Sequence, residues 1–311
     1  MTRHLLEIDD LSCAELNDVL TLAAAPAETA APVLAGRGAA LVFEKPSLRT
    51  RSATELAVVS LGGHPLYIQG VEVGIDTREP AEDVARTLAA YHSVICARVL
   101  DHEVLVRMAG VLDSHRGPGA AGVAVVNLLS DRSHPGQAVA DLLTLRQAFG
   151  DLAGRTLAYI GDPNNVWRSL VLGAAMMGMT VRTASPEGYE PDPDDIARIT
   201  RLGGVIEVTT DPAEAVAGAD AVYTDVWTSM GHEDEAELRR KAFFGFTVDD
   251  ELLAGASPDV VVLHCLPAHR GEEISSSVID GPRSRVWPQA TNRMHAMRGL
   301  LGWLLGPGAN T

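Results

Sequence analysis

Short apolar runs alternate with helix-forming stretches along almost the whole of this 311-residue chain, and that alternation constrains the fold most. Residues 38–43, 64–69, 93–99 and 122–129 read as strands, and residues 52–61, 80–91, 103–112 and 138–149 as the helices between and after them. Near residues 150–154 the pattern restarts, with strands at 156–160, 180–184, 205–209, 221–226 and 259–263 and helices at 164–177, 193–202 and 212–217. Parallel strands need long crossovers, and a helix that covers the sheet face supplies one. The expectation is an α/β protein with two doubly wound parallel-sheet domains, residues 1–150 and 151–290. Residues 286–305 contain Asn292-Arg293 and then a last helix with Met294, Met297, Leu300, Leu301 and Leu304 on one side. Something this apolar must pack, so residues 291–311 are expected to cross back to the first domain. A first helix is read at 9–24, capped by Asp10 with Leu11, Leu16, Val19 and Leu20 inward, and 70–79 as a surface loop.

Composition excludes some functions. Lysine and arginine number 25 against 41 acidic residues, a net charge of −16, which is a poor basis for sequence-independent nucleic-acid binding. The arginines that do cluster in motifs stand out against that background. No apolar run is long enough to span a bilayer and no signal-peptide pattern opens the chain, so no membrane role is expected. Three distant cysteines, Cys13, Cys96 and Cys265, fit reduced thiols and a cytoplasmic location.

In parallel sheets ligands bind beyond the C-terminal strand ends. The strand at 38–43 runs into Phe-Glu-Lys-Pro-Ser-Leu-Arg-Thr-Arg (43–51) and then a helix. Ser47 and Thr50 supply hydroxyls there, Arg49 and Arg51 supply guanidinium groups, and the helix N-terminus supplies amides. Positive charge is unfavourable at a helix N-terminus unless an anion offsets it, so this composition suits a phosphate better than a solvated first turn. Arg98 lies near the end of another strand and His134-Pro-Gly-Gln137 follows a third, so the three can converge. His134 can donate to a carbonyl oxygen and Gln137 accept from an amide, although His-Pro before a helix is often only structural. Asn164-Asn165 either caps its helix or offers an amide to a ligand. In the loop 225–231, Asp225 suits an ammonium group and Ser229 an amino-acid carboxylate or amine. The loop 264–273 carries Cys265 between His264 and His269. It lacks a second ligand pair at zinc spacing and matches no nucleophile elbow, and a buried small residue is the plainest alternative.

Taken in order, residues 43–51, 134–137, 162–165, 225–231, 264–273 and Asn292-Arg293 resemble the ornithine carbamoyltransferase family. The resemblance implies a first domain for carbamoyl phosphate, a second for the amino acid, and a homotrimer or a multiple of it. It implies that Ser47, the Leu48 backbone, Arg49 and Thr50 hold the phosphate. Arg98 and His134, with Thr50, would polarise the carbamoyl oxygen; Gln137 and the Leu266 carbonyl would orient the carbamoyl amide, with Arg293 on the same ligand. Asn165, Asp225, Ser229 and Met230 would take the ornithine α-groups, with Asp225 and Cys265 nearest the reacting amine. The catalytic set is then Arg49, Arg98, His134, Asp225 and Cys265. No metal or organic cofactor is implied.

The chain departs from that pattern in places. Leu48 stands where a threonine is usual, Gly136 where a cysteine is, and Thr291 where a glutamate is. The 70–79 loop lacks the glutamine or histidine that reaches a neighbouring subunit, leaving Glu72, Asp76, Thr77 and Arg78. The expected reaction is carbamoyl transfer from carbamoyl phosphate to L-ornithine, giving citrulline. The alternatives are another diamino acid, an N-acylornithine, or a catalytically weak paralogue.

Overall fold

A computed structural model describes residues 3–114, 122–228 and 233–306. The chain divides into two compact units, residues 1–140 with 293–311, and residues 141–292. The division falls inside two helices, α6 (Pro135–Phe149) and α12 (Val286–Leu305).

The first unit holds a parallel sheet in the order β2-β1-β3-β4, formed by β1 (Gly38–Phe43), β2 (His64–Gln69), β3 (Val94–Arg98) and β4 (Ala124–Leu129). Strands β1, β3 and β4 are nearly continuous apolar runs buried along their length, as strands covered on both faces must be. The outer edge of β4 is covered by the N-terminal segment: Leu5 N–H donates to Val125 O and Asn127 N–H to Leu5 O. The opposite edge strand, β2, alternates in exposure. Helices α1 (Cys13–Ala24), α2 (Leu48–Ser60), α3 (Gly70–Val73), α4 (Ala81–Ala89) and α5 (His102–Ser114) complete the unit.

The second unit holds a parallel sheet in the order β7-β6-β5-β8-β9: β5 (Thr156–Ile160), β6 (Thr180–Ala184), β7 (Val205–Thr209), β8 (Ala221–Thr224) and β9 (Val261–His264). Its helices are α7 (Asn165–Met176), α8 (Pro193–Arg201), α9 (Pro212–Val216), α10 (Ala236–Ala242) and α11 (Ser276–Ile279).

The two parallel sheets agree with the α/β expectation, but several local readings are corrected. Helix α1 starts after Ser12, not Asp10, because Ser12 and Glu15 cap each other reciprocally, each side chain accepting from the other's backbone N–H. Asp10 instead closes a 3₁₀ turn and accepts from Leu6 and Glu7 N–H. Helix α2 starts at Leu48 rather than Ser52, so Arg49, Thr50 and Arg51 lie in its first turn. Its apolar Leu56 and Val59 are exposed, while Thr50, Thr54, Ala57 and Val58 are buried. The buried hydroxyl of Thr54 is satisfied by Thr50 O at 2.8 Å, so polar residues sit inward without an orphan donor. The loop expected at 70–79 contains the turn α3, closed by Gly74 in the left-handed region and by Asp76, whose carboxylate accepts from Ala81 N–H and pairs with Arg107.

Helix α12 returns to α1, where Arg298 Nη2 donates to Ala23 O at 3.0 Å. Gly299 allows that approach, because a Cβ there would meet Ala23 N at 2.6 Å and Ala23 Cα at 2.8 Å. Gly302, one turn on, has only Leu61 Cδ2 at 3.8 Å. In urea titrations, Gly299→Leu is expected to lower stability by about 1–3 kcal/mol through overpacking. Gly302→Ala is expected to be neutral or to raise it by up to about 1 kcal/mol, the helix-propensity gain.

Candidate active site

The chain leaves β1 toward β2 on one side and later returns to β3 on the other. The loops after β1 and β3 therefore diverge, which opens a crevice at the C-terminal ends of these two strands. There Phe43 pairs with Arg98 in register. Arg98 also sits at an irregularity of the β3–β4 ladder, where the pairing steps from Ala97–Asn127 to Arg98–Leu129. Such a bulge re-aims the side chain that ends the strand. Glu44, which sequence reasoning passed over, fixes both strand ends: its N–H donates to Arg98 O at 3.0 Å and its carboxylate accepts from Leu100 N–H at 2.7 Å.

Helix α2 opens onto the same place. Ser47 Oγ caps it, accepting from Thr50 N–H at 3.4 Å. Thr50 is buried, Arg49 half-buried, and Leu48 is 80% exposed, so its apolar side chain stays in solvent. From α6 come His134, just ahead of the helix, and Gln137 in its first turn, both buried. From α12 comes buried Arg293, which donates to Gln137 Oε1 and, at 3.1 Å, to Thr50 Oγ1. The structure thus brings Thr50, Gln137 and Arg293 into direct contact. Gly136 lies under α12, where a Cβ would come within 2.9 Å of Met297 Sδ.

Electrostatics define what this half-site wants. Burial holds His134 well below the usual imidazole value, and Arg293, Arg98 and Arg49 push the same way, so it is neutral at pH 7. Burial, then Arg293 and Arg49, lowers Arg98 to about 10. Guanidinium groups gathered this closely beside a helix N-terminus make a strong anion receptor. Neutral His134 remains a hydrogen-bond donor without adding a fourth charge.

In the second unit the diverging point lies between β5 and β8. Asn164 follows β5 and caps α7, its Oδ1 accepting from Val166 and Trp167 N–H at 2.9 and 3.1 Å. Its Nδ2 donates to Asp225 Oδ2 at 2.9 Å, so one amide both starts the helix and aims the carboxylate. Asp225 is buried just past β8, and Cys265 Sγ donates to its Oδ1 at 2.9 Å. Asn165 is the first residue of α7. Ser229 and Met230 lie outside the described residues.

A buried pair that sequence reasoning did not single out supports Cys265. His264 Nδ1 accepts from Leu266 N–H at 2.9 Å, which puts the neutral ring's proton on Nε2, 3.1 Å from Glu273 Oε1. His264 N–H donates to Gln289 Oε1 at 2.9 Å. Leu266 is held in the left-handed region at φ 60°, a costly conformation that this cross-bracing maintains. The only sequence signal for it is the pair of acids that closes the 264–273 loop. Asp225, His264 and Cys265 lie close enough to suggest metal ligands, but both ring nitrogens of His264 are already engaged. The donor set does not fit a metal.

His4, His92, His102, His134 and His295 all sit below the ordinary 6.5, burial being the largest cause in each. Below pH 6.5 the unfolded chain therefore binds more protons than the folded one, and stability falls as pH falls. The unfolding free energy is expected to drop between pH 7.5 and 5.5, at up to about 1.4 kcal/mol per pH unit for each proton taken up. His134→Gln is expected to make that slope shallower in urea titrations at both pH values.

Comparison with known proteins fits this layout. The family described as aspartate/ornithine carbamoyltransferase matches twice, its carbamoyl-P binding domain at residues 3–147 and its Asp/Orn binding domain at 153–304. An ornithine carbamoyltransferase of Acidothermus cellulolyticus is 48% identical over 98% of this chain and 97% of its own. The crystal structure of ornithine carbamoyltransferase from Thermus thermophilus superposes with a TM-score of 0.85 at 45% identity, covering 98% of this chain and 100% of that one. The ornithine carbamoyltransferase from Pyrococcus furiosus gives a TM-score of 0.90 at 41% identity, covering 98% and 97%. With identity this high over nearly the full length, the chain belongs to the aspartate/ornithine carbamoyltransferase family.

Proposed function

We propose that this protein transfers the carbamoyl group of carbamoyl phosphate to the side-chain amine of L-ornithine, giving L-citrulline and phosphate. The observation that carries the proposal is the convergence of Arg49, Arg98 and Arg293 on a helix N-terminus beside a neutral, buried His134. The phosphate end of carbamoyl phosphate offsets that charge, and the carbonyl of this acyl phosphate needs the donors that remain.

Each residue then has a task. Ser47, the Leu48 amide, Arg49 and Thr50 take the phosphate oxygens. Arg98 and His134, with Thr50, donate to the carbamoyl oxygen, whose negative charge grows as the carbon becomes tetrahedral. Gln137, oriented by Arg293, and the Leu266 carbonyl take the carbamoyl amide hydrogens, with Arg293 on the same ligand. Asn165, Asp225, Ser229 and Met230 receive the amino acid, and Asp225 and Cys265 flank the reacting amine. An alkylammonium group must lose a proton before it can attack. The neutral nitrogen then forms the C–N bond, the bond from carbon to phosphate oxygen breaks, and the second amine proton leaves with phosphate or to solvent. Holding both reactants supplies most of the remaining acceleration by alignment.

A homotrimer fits the surface of the first unit. Leu48, Leu56 and Val59 fall on one side of α2, and with Leu66 on edge strand β2 and Val71 on α3 they leave apolar area in solvent. A second copy covering that area fits better than leaving it in water. Among the described residues no helix is long and apolar enough to cross a membrane, and the three cysteines are free, which supports a cytoplasmic site of action.

The test is turnover with carbamoyl phosphate and a panel of amines, with products identified by mass. Citrulline from ornithine is expected to form fastest, and Arg98→Met is expected to lower kcat/KM by about 100- to 1000-fold. Preference for N-acetylornithine or another diamine would overturn the ornithine assignment. No product from any amine, with a folded sample, would overturn the enzyme reading.

A further inference from the structure

The turn between β4 and α6 delivers His134, and a buried hydrogen-bond network holds that turn. Asn127, Ser130 and Ser133 are all buried in it. Asn127 Nδ2 faces three acceptors, Leu6 O at 2.8 Å and Ser130 Oγ and Ser133 O at 3.2 Å, which settles which end of the amide points there. Ser130 Oγ accepts from Asn127 Nδ2 and from Ser133 N–H, the latter at 3.2 Å. Asn127 has two amide hydrogens for these three acceptors, so Ser130 Oγ and Ser133 O share one of them, while Ser133 N–H takes a lone pair of Ser130 Oγ and the hydroxyl keeps a proton to donate. Ser130 Oγ lies 2.8 Å from His102 Nδ1 and 3.5 Å from Ser133 O, so the shorter contact is to the ring nitrogen. With Ser130 as the donor of that contact, His102 Nδ1 is unprotonated and the ring proton is on Nε2. The same residue grips the turn a second time, since its backbone N–H donates to Asp131 Oδ1 at 2.8 Å.

We propose that His102 is a positioning residue for His134. As the neutral Nε2–H tautomer it accepts the Ser130 hydroxyl proton and so fixes the turn that presents the His134 ring to the carbamoyl group. The catalytic consequence rests on the carbamoyl-transfer reading, whereas the tautomer and the placement of His134 do not. A proton added at Nδ1 would reverse this contact, making the ring a third donor aimed at Ser130 Oγ beside Asn127 Nδ2 and Ser133 N–H. The charged groups facing the ring are Glu7 and Asp10 from the N-terminal segment and Arg132 and Asp131 from the turn. The acids favour protonation, while Arg132 and above all burial oppose it, which keeps the ring neutral near pH 7.

Two variants separate this role from general packing. His102→Asn places an oxygen where Nδ1 stood, an acceptor that does not titrate; His102→Ala removes the acceptor. Long-range ¹H–¹⁵N spectra of histidine-labelled protein are expected to show His102 with bare Nδ1 and protonated Nε2. The His134 ring signals are expected to shift in His102→Ala and not in His102→Asn. In turnover, His102→Ala is expected to lose about tenfold in kcat/KM for carbamoyl phosphate, the scale of a slightly misplaced donor. His102→Asn is expected to match the natural protein at pH 8 and to exceed it increasingly as pH falls toward 5.5. A protonated Nδ1 at pH 8, or unmoved His134 signals in His102→Ala, would overturn the proposal. If the spectra behave as expected and no citrulline forms with the natural protein, the positioning role stands and the transfer reading falls.

Discussion

Guanidinium groups repel one another, and this fold spends stability to gather them. Arg98 and Arg293 are buried and act on each other and on His134, with Arg49 half-buried beside them. Each comes from a different element: the first turn of α2, the bulged end of β3 and the middle of α12. Holding them needs the features around them: the Glu44 clamp across the ends of β1 and β3, the Ser47 cap, and the close seat of α12 on Ala23 through Gly299. In a chain of net charge −16 such a concentration of positive charge has a local purpose. An anion that binds there returns the stability that the empty cluster costs.

The second unit solves a different problem with similar topology. Both sheets place their reactive groups where successive connections diverge, β1 and β3 in one, β5 and β8 in the other. Here the group at the centre is a carboxylate. Asp225 is aimed by Asn164 and Cys265, and the Cys265 loop is braced by the His264–Glu273 pair and by Gln289. A carboxylate braced by neutral donors suits a cationic amino group, as clustered arginines suit phosphate.

Much of this is legible in the sequence because apolar runs and turn residues act locally. The nine strands among the described residues lie where short apolar runs place them, with ends displaced by a few residues. The 43–51 stretch announces an anion through its own composition. Polar residues that fold inward are harder to see. Arg-Thr-Arg reads as the end of a loop, yet it is helix because Thr50 and Thr54 are buried and satisfied there. The first cap moves from Asp10 to Ser12 because a reciprocal cap outcompetes a single one. Helix α10 is missed because its seven residues carry three cationic side chains and no apolar stripe. Networks joining distant residues, such as Glu44 with Leu100, Asn164 with Asp225 and His102 with Ser130, have no local signature, because each is created only by the sheet order.

The most direct measurement is thermal unfolding of the natural protein and of Arg98→Met, each with and without inorganic phosphate. Phosphate is expected to raise the melting temperature of the natural protein in a concentration-dependent way, by about 2.7 kcal/mol of added stability at a hundred times its dissociation constant. Arg98→Met is expected to melt no lower than the natural protein without phosphate and to gain little from adding it. A natural protein indifferent to phosphate, or an equal gain in the variant, would contradict the assignment of the arginine cluster as the seat of carbamoyl phosphate.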